Sequence, residues 1–331
     1  MKIKLPRRYH RVGVAIHPPR HPVGGEFDRY QKKNYQFEPV NCLCGVKNSD
    51  YVISTVDREG WKYKLVACQS CGLIRASDYW DEYSLADFYS NWYRESGESD
   101  VNSFYARQAN RSASVKNFVE QHTSDFKKRY VVFDIGGGAG GILDSFRNDA
   151  RCYLVDYDIS FFKKAESMGI STQRGGINDL ENIIDQPDLV ILSHVLEHFT
   201  DVNQKIEDLT SRLRIGALVY IELPGIDSLC EGRRKHDFLG DIHIPHVFYF
   251  SQNVLNNVMR RLGFECVHST SEIRALFRYT GIKGERVNHH DSVCSLIRRS
   301  ETKRKFHIYT FKRILSLALP EPLKNFIKKF G

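Results

Sequence analysis

Residues 134 to 141 read Asp-Ile-Gly-Gly-Gly-Ala-Gly-Gly, and no other stretch restricts the fold of this chain as much. The run follows the apolar residues Tyr130-Val131-Val132-Phe133 and precedes Ile142-Leu143-Asp144-Ser145-Phe146, whose spacing is helical. Strand, glycine turn and helix start form an arrangement that lets a backbone come close to a nucleotide-like ligand.

Two ligands suit the glycines. Gly136, Gly138 and Gly141 fit a dinucleotide fingerprint, and Gly136, Gly138 and Gly140 fit the nucleoside loop of S-adenosylmethionine enzymes. Asp134 leans toward the second. A carboxylate two residues before the first glycine would repel a pyrophosphate and attract an ammonium and a sulfonium. Asp156 follows Cys152-Tyr153-Leu154-Val155 at the end of the next apolar run. That spacing suits an acid bonding ribose hydroxyls in either ligand.

Strands are expected at 130–134, 152–156, 189–193, 217–222 and 264–268. Crossover helices are expected near 141–148, 160–168, 203–213 and 251–262. The alternation predicts an α/β, doubly wound, parallel Rossmann-like sheet. The organisation read from the chain is an arm over 1–40, a ribbon over 41–75, a helical lid or linker over 76–128, a ligand-binding domain over 129–275 and a C-terminal extension over 276–331. In the lid segment, Leu85, Phe88, Tyr89, Trp92 and Tyr93 have helical spacing.

Cys42, Cys44, Cys68 and Cys71 make two close pairs in the ribbon, with short strands expected between them. Four thiols in this pattern suit a closed, structural tetrahedral zinc site. The single-residue spacer in Cys42-Leu43-Cys44 departs from the usual two. The other four cysteines, Cys152, Cys230, Cys266 and Cys294, are scattered and read as small buried residues.

No apolar run approaches the length of a membrane span, and the first residues lack a secretory apolar core, so the expected location is cytoplasmic. The net charge of +8 is concentrated at the end. From Lys303 onward eight basic residues face one acid, Glu321, and are interleaved with Phe311, Leu315, Leu323, Phe326 and Phe330. Such a basic amphipathic tail suits peripheral contact with an anionic inner-membrane surface, or packing on its own or a sister subunit in a homo-oligomer. The remainder is close to neutral, which argues against a specific nucleic-acid partner.

Further motifs converge on a family. After the cysteine ribbon and the glycine loop come Ser193-His194-Val195-Leu196-Glu197-His198-Phe199, then His243-Ile244-Pro245-His246-Val247-Phe248-Tyr249-Phe250-Ser251 and Leu262-Gly263-Phe264. Over roughly 41–270 the chain resembles class I S-adenosylmethionine-dependent methyltransferases with an N-terminal zinc-binding domain, and is similar to sugar C-methyltransferases and relatives associated with surface glycans. The resemblance implies methyl transfer to a small-molecule or glycan-type acceptor such as a sugar or sugar nucleotide. It implies that Gly136 and Gly138 line the methionine and ribose, Asp134 holds the amino group and Asp156 the ribose, Asn178 and Asp179 lie near adenine, and His194 covers the cofactor from the acceptor side. It gives Tyr93 a contact with the methionine carboxylate or the acceptor.

His246 is the expected general base, with His243 the second catalytic candidate; the two are also readable as acceptor-binding or structural loop histidines. Pro245 stands where sugar C-methyltransferases carry a Glu. His194 through His198 also matches a His-Xaa-Xaa-Glu-His protease pattern, but His194 directly follows a strand-like run and so lies off any continuous helix. An RNA methyltransferase and a cofactor-binding module without turnover are the alternative functions.

Overall fold

The computed structural model describes residues 35–47, 49–58, 62–88, 100–124 and 129–306. The Tyr93 assignment, nearly all of the arm and the tail beyond Phe306 lie outside the described residues.

The main sheet has seven strands in the order β12-β13-β10-β9-β6-β7-β8. They are β6 (Tyr130–Ile135), β7 (Ala150–Asp156), β8 (Ser171–Arg174), β9 (Leu189–Ser193), β10 (Leu218–Glu222), β12 (Phe264–Ser269) and β13 (Arg274–Tyr279). Strands β8, β7, β6, β9 and β10 are parallel. All five parallel strands bring their carboxyl ends to one edge, and the order reverses between β6 and β9. That switch point is where ligands bind in such sheets.

The expectation of a parallel sheet fails at its far side. Strand β13 enters antiparallel between β10 and β12, so β12 pairs only with β13. Strands β8 and β13 were not expected at all. Four-residue β8 is polar on both faces, and β13 follows β12 by a tight turn rather than a crossover helix.

The expected helix at 141–148 is also absent. Residues 141–143 make one 3-10 turn and the chain then returns to β7. The space is filled by α2 (Val101–Gln121), whose N terminus Asp100 caps through the N–H groups of Asn102 and Ser103. Its hydroxyl Ser112 Oγ bonds the Ile142 carbonyl, and its Gln108 amide spans the loop, donating to Gly137 O at 2.9 Å and accepting from Gly141 N at 3.2 Å. The remaining helices are α1 (Glu82–Phe88), α3 (Phe162–Ser167), α4 (Val202–Thr210), α5 (Gln252–Arg261) and α6 (His290–Phe306).

The ribbon is a second sheet, ordered β11-β4-β3-β2. Strands β2 (Asp50–Val56), β3 (Lys62–Cys68) and β4 (Ile74–Ala76) come from the cysteine region, while β11 (Phe248–Tyr249) comes from the segment after β10. Residues 76–80, expected in the helical lid, instead finish β4 and form β5 (Asp78–Trp80), which pairs with β1 (Phe37–Pro39). One apolar cluster runs from Ile53, Leu65 and Leu73 of the ribbon through Phe248 and Phe250 to Val190 and Val219 of the main sheet. Each such side chain contributes about 1.5–3 kcal/mol when fully buried, so the ribbon and the sheet share a core.

Candidate functional site

Asp134 sits one residue before the end of β6, 1% exposed, with neither carboxylate oxygen hydrogen-bonded. Burial, the nearby Asp156 carboxylate and, in the opposite direction, the Arg111 guanidinium set its pKa, which is pushed up to about 7. A buried carboxylate without a partner is costly unless a cation or donor arrives to meet it. The glycine loop closes over it: Gly136, Gly138 and Gly140 all have positive φ, a conformation with little penalty only for glycine. At Gly136 a Cβ would stand 2.7 Å from Val195, and at Gly138 it would stand 2.7 Å from Phe104 of α2. The loop is thus bare backbone pressed between β9's following turn and α2.

Asp156 ends β7. Its carboxylate accepts the Gly138 N–H and the Asp158 N–H, both at 2.8 Å, which aims the group across the loop. Tyr157, immediately after, is 66% exposed, an aromatic face beside Asp156 that the sequence reading missed. An aromatic residue one position past the acid was the available signal. Arg111 was missed too. It reaches from α2 to Glu222 at the end of β10, at 2.8 Å, and places its charge near Asp134. No sequence pattern connects a mid-helix arginine with a strand end a hundred residues away.

Asn178 and Asp179 lie in the turn after β8, linked to Asp156 through the Gly175 N–H. Asp179 caps its own turn by accepting the Gly176 N–H at 2.8 Å, and exposed Asn178 accepts from Lys205 Nζ at 3.1 Å. Both carboxylate and amide are therefore already engaged locally.

On the other side of the switch point, His194 follows β9 with φ +58° and donates its N–H to Glu222 O at 2.7 Å. Residues 196–198 form a 3-10 turn, so the His-Xaa-Xaa-Glu-His pattern is not on a helix. The turn buries Glu197 and brings His198 toward His246 with ring centroids 5.0 Å apart; His243 and His246 are 5.7 Å apart. Four histidines and one buried carboxylate therefore gather beside the loop residue Val195. Burial, then His198 and His243, hold His246 well below the ordinary histidine range.

The His243–His246 segment is fixed by the ribbon. Tyr63 of β3 donates its hydroxyl to His246 O, the Tyr249 hydroxyl accepts the His243 N–H at 2.8 Å, and Ala76 donates to Val247 O at 2.8 Å. At the ribbon's tip the four cysteines meet. Cys42 Sγ lies 3.5 Å from Cys71 and 3.4 Å from Cys44, and Cys44 lies 3.7 Å from Cys68. Four thiolates at about 2.3 Å from zinc stand about 3.8 Å apart, so the shortened first knuckle still gathers a set that fits the metal. Hydrogen bonding with Cys42 and then with Cys68 holds the Cys44 thiol far below its ordinary range.

With this geometry in view, residues 105–269 match a family described as "Methyltransferase domain". No curated protein matches the chain significantly. Among solved structures, it is similar to the Burkholderia thailandensis 1,6-didemethyltoxoflavin-N1-methyltransferase with S-adenosylhomocysteine bound (17% identity, TM-score 0.41, 63% of this chain and 96% of that one). It is also similar to the plantazolicin methyltransferase BamL (15%, 0.43, 71% and 88%) and to the putative methyltransferase complexed with Haloferax volcanii Trm112 (17%, 0.39, 54% and 81%). The chain carries a methyltransferase domain over residues 105–269 and is an enzyme that transfers methyl groups.

Proposed function

We propose that the methyl donor is S-adenosylmethionine and the acceptor a small or glycan-type molecule bearing hydroxyl groups. One observation carries the donor: the buried, unpartnered Asp134 carboxylate beneath the glycine loop. In this reading Asp134 meets the ammonium, Asp156 the ribose, Tyr157 the adenine face, and the left-handed glycines let the chain approach the methionine. When bound, the cofactor supplies an electrophilic methyl group, and its sulfonium loses charge in the transfer. The protein's part is then alignment, exclusion of water and removal of the acceptor's proton. Alignment of two reactants can lower a barrier by several kcal/mol.

His194 lines the acceptor side of the switch point. His243, half-buried and anchored through Tyr249, is the proton acceptor in this reading. His246 is disfavoured as the base, because its surroundings oppose the imidazolium that a base must become. The ribbon cysteines would hold a structural zinc that leaves no open position for chemistry; its contribution is to fix β4, on which the acceptor segment rests.

Calorimetry with S-adenosylmethionine and NAD tests the donor, and the expected result is binding of the sulfonium compound alone. Uptake of NAD with none of S-adenosylmethionine overturns the reading. Incubation of labelled S-adenosylmethionine with a native metabolite extract tests the acceptor. Label is expected in small hydroxylated products; label confined to RNA or protein would reject that acceptor class.

A further inference from the structure

The protease-like pattern and the acceptor-segment histidine meet in space. Ligand atoms of Glu197, His198 and His246 all lie within 4.8 Å of one another. Glu197 is 1% exposed, yet neither of its carboxylate oxygens has a hydrogen-bond partner. The nearest histidine nitrogens, His194 Nδ1 at 3.5 Å and His198 Nε2 at 4.0 Å, do not form hydrogen bonds with it.

His198 is oriented as metal-bound histidines are. Its Nδ1 lies 2.9 Å from Pro245 O. A carbonyl only accepts, so Nδ1 donates to it, and Nε2 is turned to the Glu197 side, 4.0 Å from Oε1. An outer hydrogen bond of this kind fixes tautomer and ring plane in metal sites. Backbone bonds hold the frame: Val247 donates to Glu197 O at 2.7 Å, and Tyr63 grips His246 O. Ligands about 2.0–2.2 Å from one ion are roughly 3–3.6 Å apart, which these atoms reach by small side-chain adjustments.

We propose that Glu197, His198 and His246 form a second metal site, distinct from the cysteine cluster, that takes a divalent transition cation of the zinc class. Two imidazoles and a carboxylate are a borderline-soft donor set, unsuited to magnesium or calcium. Three protein ligands leave a position for water or an acceptor oxygen. That the site adjoins methyl transfer rests on the function proposed above; the metal binding itself does not.

The test uses the full chain produced in cobalt-supplemented medium, with metal counted per chain and the visible spectrum recorded, in the absence of donor and acceptor. Wild type is expected to hold one more equivalent than Glu197→Gln or His246→Ala. Both variants should keep the thiolate-to-cobalt charge-transfer band of the cysteine site, which also reports that the ribbon is folded. The extra equivalent should show only the weaker d–d absorption of nitrogen and oxygen ligands. Equal metal content in wild type and both variants, or a wild-type spectrum without that component, overturns the proposal. Because no methyl transfer is measured, failure here is separable from failure of the donor assignment.

Discussion

Asp134 gathers most of the chemistry at the scale of single residues. Its pKa near 7 means that the folded, ligand-free protein prefers the neutral acid, whereas an unfolded Asp ionises near 4. A group raised in this way stabilises the fold fully below the unfolded value, and that contribution is lost as pH climbs through about 7. Ligand-free wild type should therefore lose stability between about pH 4 and 7, by up to about 1.4 kcal/mol per pH unit, relative to Asp134→Asn. Thermal melts of both proteins across that window check this, and parallel curves would refute it. An ammonium ligand reverses the balance, because it favours the carboxylate. Binding of S-adenosylmethionine should tighten as pH rises toward 7, and Asp134→Asn should weaken it roughly 10- to 100-fold, the range for a charge-assisted hydrogen bond. His243→Ala should lower kcat while leaving donor affinity within about twofold, since a base contributes roughly 100-fold or more to the chemical step alone.

Helix α2 shows what an element can do that its own sequence does not advertise. Its Gln108 side chain bonds both a carbonyl and an N–H of the glycine loop, so the helix acts as a clamp on the loop proposed to cradle the cofactor. Gln108→Ala removes two bonds worth about 1 kcal/mol each. Dissociation of S-adenosylmethionine should rise roughly tenfold, with a lower melting temperature; an unchanged Kd would mean that the cradle is held by its own turns. Four of the five parallel strands, β6, β7, β9 and β10, were legible because each is an apolar run ending in an acid, a serine or a turn, as in Leu189–Ser193, whereas polar β8 carries no such run. The Asp134 and Asp156 pair was legible for the same reason, since strand ends are marked by the run that precedes them. Strand β13 was not, because Arg274-Ala-Leu-Phe-Arg-Tyr gives no periodic signal and its place depends on pairing with β10. Two-residue β11 carries no strand signal at all, and only the edge of β4 makes it one. The 141–148 segment misled because its apolar spacing serves packing against α2 and not a helix.

At the scale of the molecule, the ribbon is joined to the catalytic sheet by more than a linker. Asn203 of α4 and Arg261 of α5 both donate to Leu43 O at 2.8 Å, between the first two cysteines. His290 of α6 approaches Cys68 O at 3.2 Å. The other end of the ribbon carries β11 and, just before it, His243 and His246. The proposed cofactor cradle, by contrast, is built from β6, β7 and α2, which have no part in the ribbon sheet. Losing the cysteine cluster should therefore disturb the acceptor half and spare the donor half. For Cys68→Ser with Cys71→Ser, the expected result is donor affinity within about threefold of wild type. Turnover should fall roughly 100-fold, the cost of displacing reacting groups by about 1 Å. Calorimetry with S-adenosylmethionine and turnover with the identified acceptor, measured on the same preparations, separate the two halves. Equal loss of both would mean that the ribbon supports the whole fold and has no particular bearing on the acceptor segment. Unchanged turnover would mean that β11 and its histidines hold their place without the metal.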